Sequence, residues 1–526
     1  MNKTYLLLFL FSFFYSFIPG TNDCFSQSQF QLVIGDSSNI GEARSIIQTS
    51  DGGYIAVGEN ELFGDMYVVK LNSSGQLQWN KTIGGVGQDL ALSVVETSEG
   101  GYAVSGFADS FGPGAEGPFI VKLTQGGTVE WARVLVGDLL GAAYSIVQTA
   151  DGGYITANSM DEGGGSFRMT IVKLNNMGLL QWSKKIGSSY GRCIKQTTDR
   201  GYIVAGATWS FGEDVFVVKL DSNGTLQWAK TIGGKGSDFA YSIIQTTDGG
   251  YAVAGRTSSF PNGDKMYIVK LDSSGLLQWT KVVSVFLDEA FSIVQTNDGG
   301  YAVAGYTGAH SSMLILKLNP DGSLQWSRVI DGGLGTTYAR SIIQTSDGGY
   351  VAAGYGGIVD VRGMYIVKLD NNGNTCANTV SHNISVDSGG ILGSSVPTVT
   401  NIPILDTLVT PPTGALGYVT PICVIGIQPI SNEIPASYKL FQNYPNPFNP
   451  TTKIKFSIPS VESGLRAVSL NIYDISGKLV KKLIQEILKP GSYEITFDAS
   501  SYSSGVYFYK LETNGFKVTK KMVLIK

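Results

Sequence analysis

A ten-residue motif, S-I-[IV]-Q-T-x-D-G-G-Y in its best copies, returns seven times along the 526-residue chain and constrains its fold more than any other feature. Its tyrosine falls at Tyr54, Tyr102, Tyr154, Tyr202, Tyr251, Tyr301 and Tyr350, at spacings of 48 to 52 residues. Self-similarity at such a period means one supersecondary unit per repeat. A unit that small cannot bury its apolar surface alone, so neighbours must stack. In one copy, apolar β-forming runs cover 228–232, 241–246, 251–257 and 266–271. Asp248-Gly249-Gly250 and Asp272-Ser273-Ser274-Gly275 separate them as tight turns. The Gly before each Tyr (Gly53, Gly101, Gly153, Gly201, Gly250, Gly300, Gly349) is never replaced, which predicts a positive φ there.

Four strands per repeat, seven times over, predict an all-β chain built as a seven-bladed β-propeller. The recurring Trp79, Trp131, Trp182, Trp228, Trp279 and Trp326 would fill the space between blades. A seventh Trp is missing: that position reads Gly373-Asn374-Thr375-Cys376-Ala377. Residues 29–35, Q-F-Q-L-V-I-G, align without a gap on 78–84, Q-W-N-K-T-I-G, with Phe30 in the place of Trp79. The start of the mature chain is therefore expected to supply the missing strand and close the ring. L-D-S-S-G-L-L-Q-W-T at 271–280 and T-I-G-G-K-G-S-D-F-A-Y-S-I-I-Q-T-T-D-G-G-Y at 231–251 resemble the bacterial seven-bladed propeller repeats of the SBBP/delta-60 type. The resemblance covers about 28–376 and implies a fold but no single activity. The T-x-D-x-G turns also resemble the Asp-box turns of sialidase propellers. Asp51, Asp151, Asp199, Asp248, Asp298 and Asp347 stand there, with Glu99 once. Sevenfold repetition points to a structural role, since one active site needs one constellation.

The flanks carry other signals. Lys3, an apolar run over 5–18 and polar residues from Thr21 onward make 1–26 a secretory signal peptide, too short for the roughly 20 residues of a membrane span. The propeller is expected over 27–376 and a Ser/Thr/Pro-rich linker of extended, poorly packed chain over 377–436. Cys376 and Cys423 bracket that linker and are a candidate disulfide in an oxidising compartment, while Cys193 reads as a small core thiol. Over 437–526, strand-like runs at 452–458, 467–474, 478–483, 491–497, 505–512 and 517–525 predict a small Ig-like β-sandwich. Tyr444-Pro445-Asn446-Pro447-Phe448-Asn449-Pro450, then I-Y-D-I-S-G-K-L-V, S-S-G-V-Y-F-Y-K-L and K-K-M-V-L-I-K, resemble the type A C-terminal sorting domain of the Bacteroidetes type IX secretion system. The resemblance implies an outer-membrane translocon as partner and a secreted or surface-held product. Lys517, Lys520, Lys521 and Lys526 either contact that machinery or guard an edge strand with charge.

A net charge of −4 offers no basic stripe for nucleic acid, and two His leave no His-ligated metal site in prospect. No cofactor is expected: nucleotide, phosphate-loop, nucleophile-elbow and zinc-protease motifs are missing from the sequence. What varies between repeats is the loop between the third and fourth strand signals. There Trp209, Glu213 and Asp214, Arg256, and Asp161 with Arg168 are the candidate ligand-binding residues, Trp209 foremost as the one Trp outside the repeat pattern. The expected function is a secreted or surface scaffold that binds polysaccharide or protein. The alternatives are a glycoside hydrolase or lyase using loop carboxylates, and a structural surface protein with no small ligand.

Overall fold

The computed structural model describes residues 29–526 apart from 35–40, 61–63, 86, 111–116, 137–139, 162–166, 209–212, 261–262, 285–287, 309–310, 331–335, 359–360, the stretches between the short strands of 376–434, and 460–465, 489, 500–501 and 514. All regular structure among these residues is β: seven five-stranded sheets and two four-stranded ones. Each repeat forms one antiparallel sheet in chain order. In the first, Gly41–Gln48, Tyr54–Asn60, Met66–Leu71 and Leu77–Ile83 pair as neighbours. The seventh sheet receives Phe30–Ile34 as its fourth strand, paired from Phe30↔Lys368 to Ile34↔Met364.

The expected exchange of strands is therefore present, and Phe30 replaces a Trp in every respect that can be compared. Trp79 meets Tyr102 of the next sheet at a ring distance of 6.0 Å, and Trp326 meets Tyr350 at 5.6 Å. Phe30 meets Tyr54 of the first sheet at 5.8 Å, edge to face. Each of these rings also lies against the turn glycine of the next sheet, Trp79 against Gly127 and Phe30 against Gly75. Six apolar cores join consecutive sheets. A seventh joins Phe30, Leu32, Val351 and Ile366 to Ala43, Tyr54 and Val69, so the last sheet packs on the first.

The conserved polar letters of the motif run between sheets as well. The Ser341 hydroxyl accepts the Ile46 N–H at 3.2 Å, as Ser93 accepts Ile146 at 3.3 Å. The Gln48 amide oxygen accepts the Ser346 N–H of the seventh sheet at 2.9 Å, and Gln245 accepts Thr198 at the same distance. In the D-G-G turn, Asp51 accepts the Gly53 N–H and the Thr49 hydroxyl, while the Lys70 ammonium reaches it at 2.8 Å. Lys70 lies inside the sheet at 1% exposure and also donates to the Leu71 carbonyl. The V-K-L lysine is thus a buried cation that ties turn to strand. It recurs as Lys173, Lys219, Lys270, Lys317 and Lys368 on Asp151, Asp199, Asp248, Asp298 and Asp347. In the second repeat, where Glu99 replaces Asp, Lys122 turns to the Gly100 carbonyl and Glu130 instead. Burial pushes the aspartates up, yet the hydrogen bonds from Lys, Thr and Gly hold Asp51, Asp151, Asp199, Asp248 and Asp298 down at about 2.

Two expectations need correction. The positive φ of the D-G-G turn belongs to its first Gly, as at Gly52 (φ 79), with Arg200 (φ 65) adopting it in the fourth repeat. Among the Gly that precede Tyr, Gly101 alone shares it. Gly53 is needed for room instead, because a Cβ there would stand 2.7 Å from the Lys70 ammonium and closer still to the Leu71 carbonyl. The second correction concerns the segment read as a poorly packed linker. Its short strands add a fifth, outer member to every sheet in turn. Thr379–Val380 pairs on the sixth sheet, Ser385–Asp387 on the fifth and Ile391–Ser394 on the fourth. Val399–Asn401 pairs on the third, Leu405–Leu408 on the second and Thr413–Gly414 on the first. Val419–Val424 then pairs on Phe30–Ile34, which is left between two partners. Seven outer edges that would otherwise expose unpaired backbone are covered by one continuous segment.

The C-terminal region is a sandwich of two four-stranded sheets around Leu440, Phe448, Phe456, Ile472, Tyr509 and Met522. Its strands Thr451–Ile458, Arg466–Asp474, Leu479–Leu488, Gly491–Asp498, Gly505–Thr513 and Phe516–Leu524 follow the runs expected from sequence. Phe30 is fully buried at the closing junction. Phe30→Ala should therefore lower the unfolding free energy by about 3–5 kcal/mol in guanidinium titrations. A loss below about 1 kcal/mol would show that this strand does not hold the first and seventh sheets together.

Candidate functional site

In every sheet, the strand that opens the repeat carries one unpaired extra residue. In the first sheet Ala43 opposes Gly58 and Ser45 opposes Val57, so Arg44 has no partner across the ladder. The same shift isolates Leu92, Tyr144, Arg192, Tyr241, Phe291 and Arg340. A β-bulge bends its strand and re-aims the extra side chain. Here the re-aimed position varies from repeat to repeat and is followed each time by the near-constant S-I-[IV]. These first strands touch one another in sequence, and the seventh touches the first.

Outside the second sheet, where Leu90 and Leu92 stand, the bulge residues and those two positions earlier supply a band of rings and charges. The Arg192 guanidinium lies 4.0 Å from the Tyr144 ring centre and 5.8 Å from that of Tyr190. Tyr190 faces Phe239 at 6.4 Å and Phe167 at 4.9 Å, and Tyr241 faces Phe291 at 5.2 Å. Arg340 covers Phe291 at 4.1 Å and Tyr338 at 4.8 Å, while Arg256 covers Phe239 at 4.6 Å. At the closing junction Glu42 accepts the Tyr338 hydroxyl at 3.0 Å and Arg340 at 2.6 Å, and pairs with Arg44 at 3.1 Å. Arg44 also reaches Glu59 at 2.7 Å. Burial, with Glu42 beside it, pushes the Tyr338 phenol up. Tyr241 is pushed up to about 12 by burial and the neighbouring Glu289 charge. The phenols of both therefore stay neutral donors at physiological pH.

Of the residues expected from sequence to bind a ligand, Arg256 joins this band, paired with Asp264 at 2.7 Å and Glu289 at 3.6 Å. Glu213 lies within the field of Arg256, and Asp214 lies against Asp238. Arg168 stands apart and bonds Ser188 on the connection from the third sheet to the fourth. Trp209, the Asp161 side chain and the Cys376–Cys423 pairing lie outside the described residues. Cys193 is buried in the core between the fourth and fifth sheets, as expected. Phe260 packs against that same core. The aromatic band itself was not singled out from sequence, although its signal is plain in retrospect. It is the one position inside a near-constant strand where Arg, Leu, Tyr and Phe interchange.

Carboxylates also pair at sheet junctions. A Cβ on Gly84 would meet both Asp65 and Asp89, and one on Gly233 both Asp214 and Asp238. Asp89 and Asp238 are fully buried. Among the described residues no group of three His, Cys, Asp or Glu is placed to hold a metal ion, and no helix is long and apolar enough to cross a membrane. In the tail, Phe448 is buried and its backbone bonds Val523 and Ile525, whereas Tyr444 projects at 80% exposure. Asn446 accepts the Val523 N–H, so the Pro-rich motif is fastened to the last strand.

Burial and the Asp89 charge push Asp65 up to about 6. A carboxyl whose folded value lies above its unfolded value near 4 binds protons more tightly when folded. Its penalty on stability therefore grows as pH rises from about 4 to about 6 and is complete above that. Asp65→Asn should raise the melting temperature at pH 8 and change it little at pH 4. Equal shifts at both pH values would contradict the assigned charge repulsion.

Residues 442–526 match the family of secretion system C-terminal sorting domains. The tail is such a domain, and it implies handling by the type IX machinery and export to the cell surface or the extracellular space. No curated protein matches the chain. Among solved structures, the chain is similar to a protein of unknown function from Dyadobacter fermentans at 13% identity and a TM-score of 0.42, over 65% of this chain and 98% of that one. A tetra-tandem repeat from the extending region of a large adhesion protein is similar at 11% identity and a TM-score of 0.14, over 91% of this chain and 98% of that one.

Proposed function

We propose that this chain is an exported binding protein whose body is a seven-bladed β-propeller and whose axial band of bulge side chains holds an extracellular polysaccharide. The closed succession of seven sheet-to-sheet cores supports the propeller. The sorting tail supports export, and the N-terminal apolar segment would first carry the chain across the inner membrane. The binding reading rests on one observation: Tyr144, Tyr190, Phe239, Tyr241, Phe291 and Tyr338 line a single band, interleaved with arginines and carboxylates.

Flat rings with polar neighbours suit the two-sided chemistry of a sugar, whose C–H face stacks on an aromatic while its hydroxyls need donors and acceptors at the rim. Trp209 keeps its place in this reading on sequence grounds. The enzymatic alternative has less support from the band, where Glu42, Glu59, Asp264 and Glu289 are occupied in ion pairs with arginine.

Glycan-array and affinity-electrophoresis screening of the full chain should find a retained polysaccharide. Tyr241→Ala and Phe291→Ala should each weaken retention about tenfold, the loss of one stacking contact of roughly 1–1.5 kcal/mol. Failure of every glycan to bind, or unchanged retention in both variants, would refute the axial site. For the tail, a chain truncated at residue 436 should accumulate in the periplasm, read by cell fractionation. Its normal appearance outside the cell would show that the sorting domain is dispensable.

A further inference from the structure

We propose that Arg192 is the anion-reading point of the axial band, and that the polysaccharide bound there carries sugar-ring carboxylates, as a polyuronate does. This rests on the binding function proposed above and narrows its ligand class. Four arginines belong to the band, and three are already compensated. Arg44 pairs with Glu42 and Glu59, Arg340 with Glu42, and Arg256 with Asp264 and Glu289.

Arg192 differs. Among the described residues it makes no ion pair, and its Nε, like those of Arg44 and Arg256, is buried without a hydrogen-bond partner. What surrounds it is aromatic: Tyr144 at 4.0 Å, Tyr190 at 5.8 Å, and Tyr241 close enough for the Arg192 charge to act on its phenol. The next sheet offers Phe239 at the position where the first sheet offers Glu42 to Arg340. A sequence change between repeats has thus removed the acceptor and left the cation.

Ring faces stabilise a guanidinium less than a charge-assisted hydrogen bond does, so an oxyanion brought to its Nη end gains a partner that the protein itself does not supply. The planar fork matches a carboxylate in two parallel bonds. The flanking Tyr144 and Tyr190 rings are placed to carry the sugar that bears this group. A neutral glycan would meet the same rings and leave the charge unanswered.

The test compares polygalacturonate, its fully methyl-esterified form and dextran sulfate as ligands for the full-length protein, by affinity electrophoresis or calorimetry at two salt concentrations. The expected result is binding to polygalacturonate at least about tenfold tighter than to the ester, weakening as salt rises. Arg192→Met should abolish that preference while keeping its melting temperature, and Arg192→Lys should restore part of it. Equal binding of acid and ester by the wild type, or an undiminished preference in Arg192→Met, would overturn the role of Arg192. Preference for dextran sulfate over polygalacturonate would overturn the carboxylate assignment. Retention of neutral glycans alone would sink this inference and leave the binding function standing, whereas no retention of any glycan would sink both.

Discussion

Everything in the body of this protein depends on a strand contributed by one end of the repeat array to the sheet at the other. No sheet of four short strands can bury both faces, so each borrows its core from the next. A row built that way leaves two raw faces at its ends. Phe30–Ile34 removes both, because it pairs with the seventh sheet while Phe30 reaches the first. The segment after the repeats then pairs on the other edge of this same strand through Val419–Val424. The closing strand is thereby held along both edges, inside the one repeat sheet whose four main strands do not follow one another along the chain.

The repeated letters of the motif are almost all spent on joining neighbours. Ser and Gln bond the adjacent sheet, Asp and Lys clamp the turn to its strand, and Trp lies on the next turn glycine. A residue so employed is not free to recognise a ligand, which is why variation collects at the bulge. The bulge residue has no cross-strand partner to satisfy, so its identity can change without cost to the ladder. Six of the seven positions have accordingly diverged into rings and arginines, with Leu92 at the remaining one. Charge in that band is balanced at Glu42 and Glu289 and unbalanced at Arg192.

The C-terminal sandwich follows a different logic. Its core is self-contained, and its Pro-rich entry motif is bonded to the last strand through Asn446 and Phe448. Pro445, Asn446 and Pro447 stay exposed together with Tyr444, so a rigid surface feature is presented by a domain that folds around its own core. The rest of the chain can differ without disturbing that feature, as a sorting device for varied cargo requires.

Taken alone, the sequence determined the repeat, its strands, the exchange of the first strand and the strands of the tail. All of these are written in local periodicity and in an alignment of like with like. Phe30 could be matched to Trp79 because residues 29–35 align without a gap on 78–84. Only the tertiary structure decided the rest. Gly53 is constrained by a lysine seventeen positions away in sequence, so its letter could not say whether dihedral or space was at stake. The short strands of 379–424 have too few residues each to declare a period, and become strands only because the sheets offer open edges. Arg192 reads like Arg340 in a list of letters. What separates them is which side chain the neighbouring sheet places opposite, Phe239 or Glu42, and that is a property of contacts between repeats.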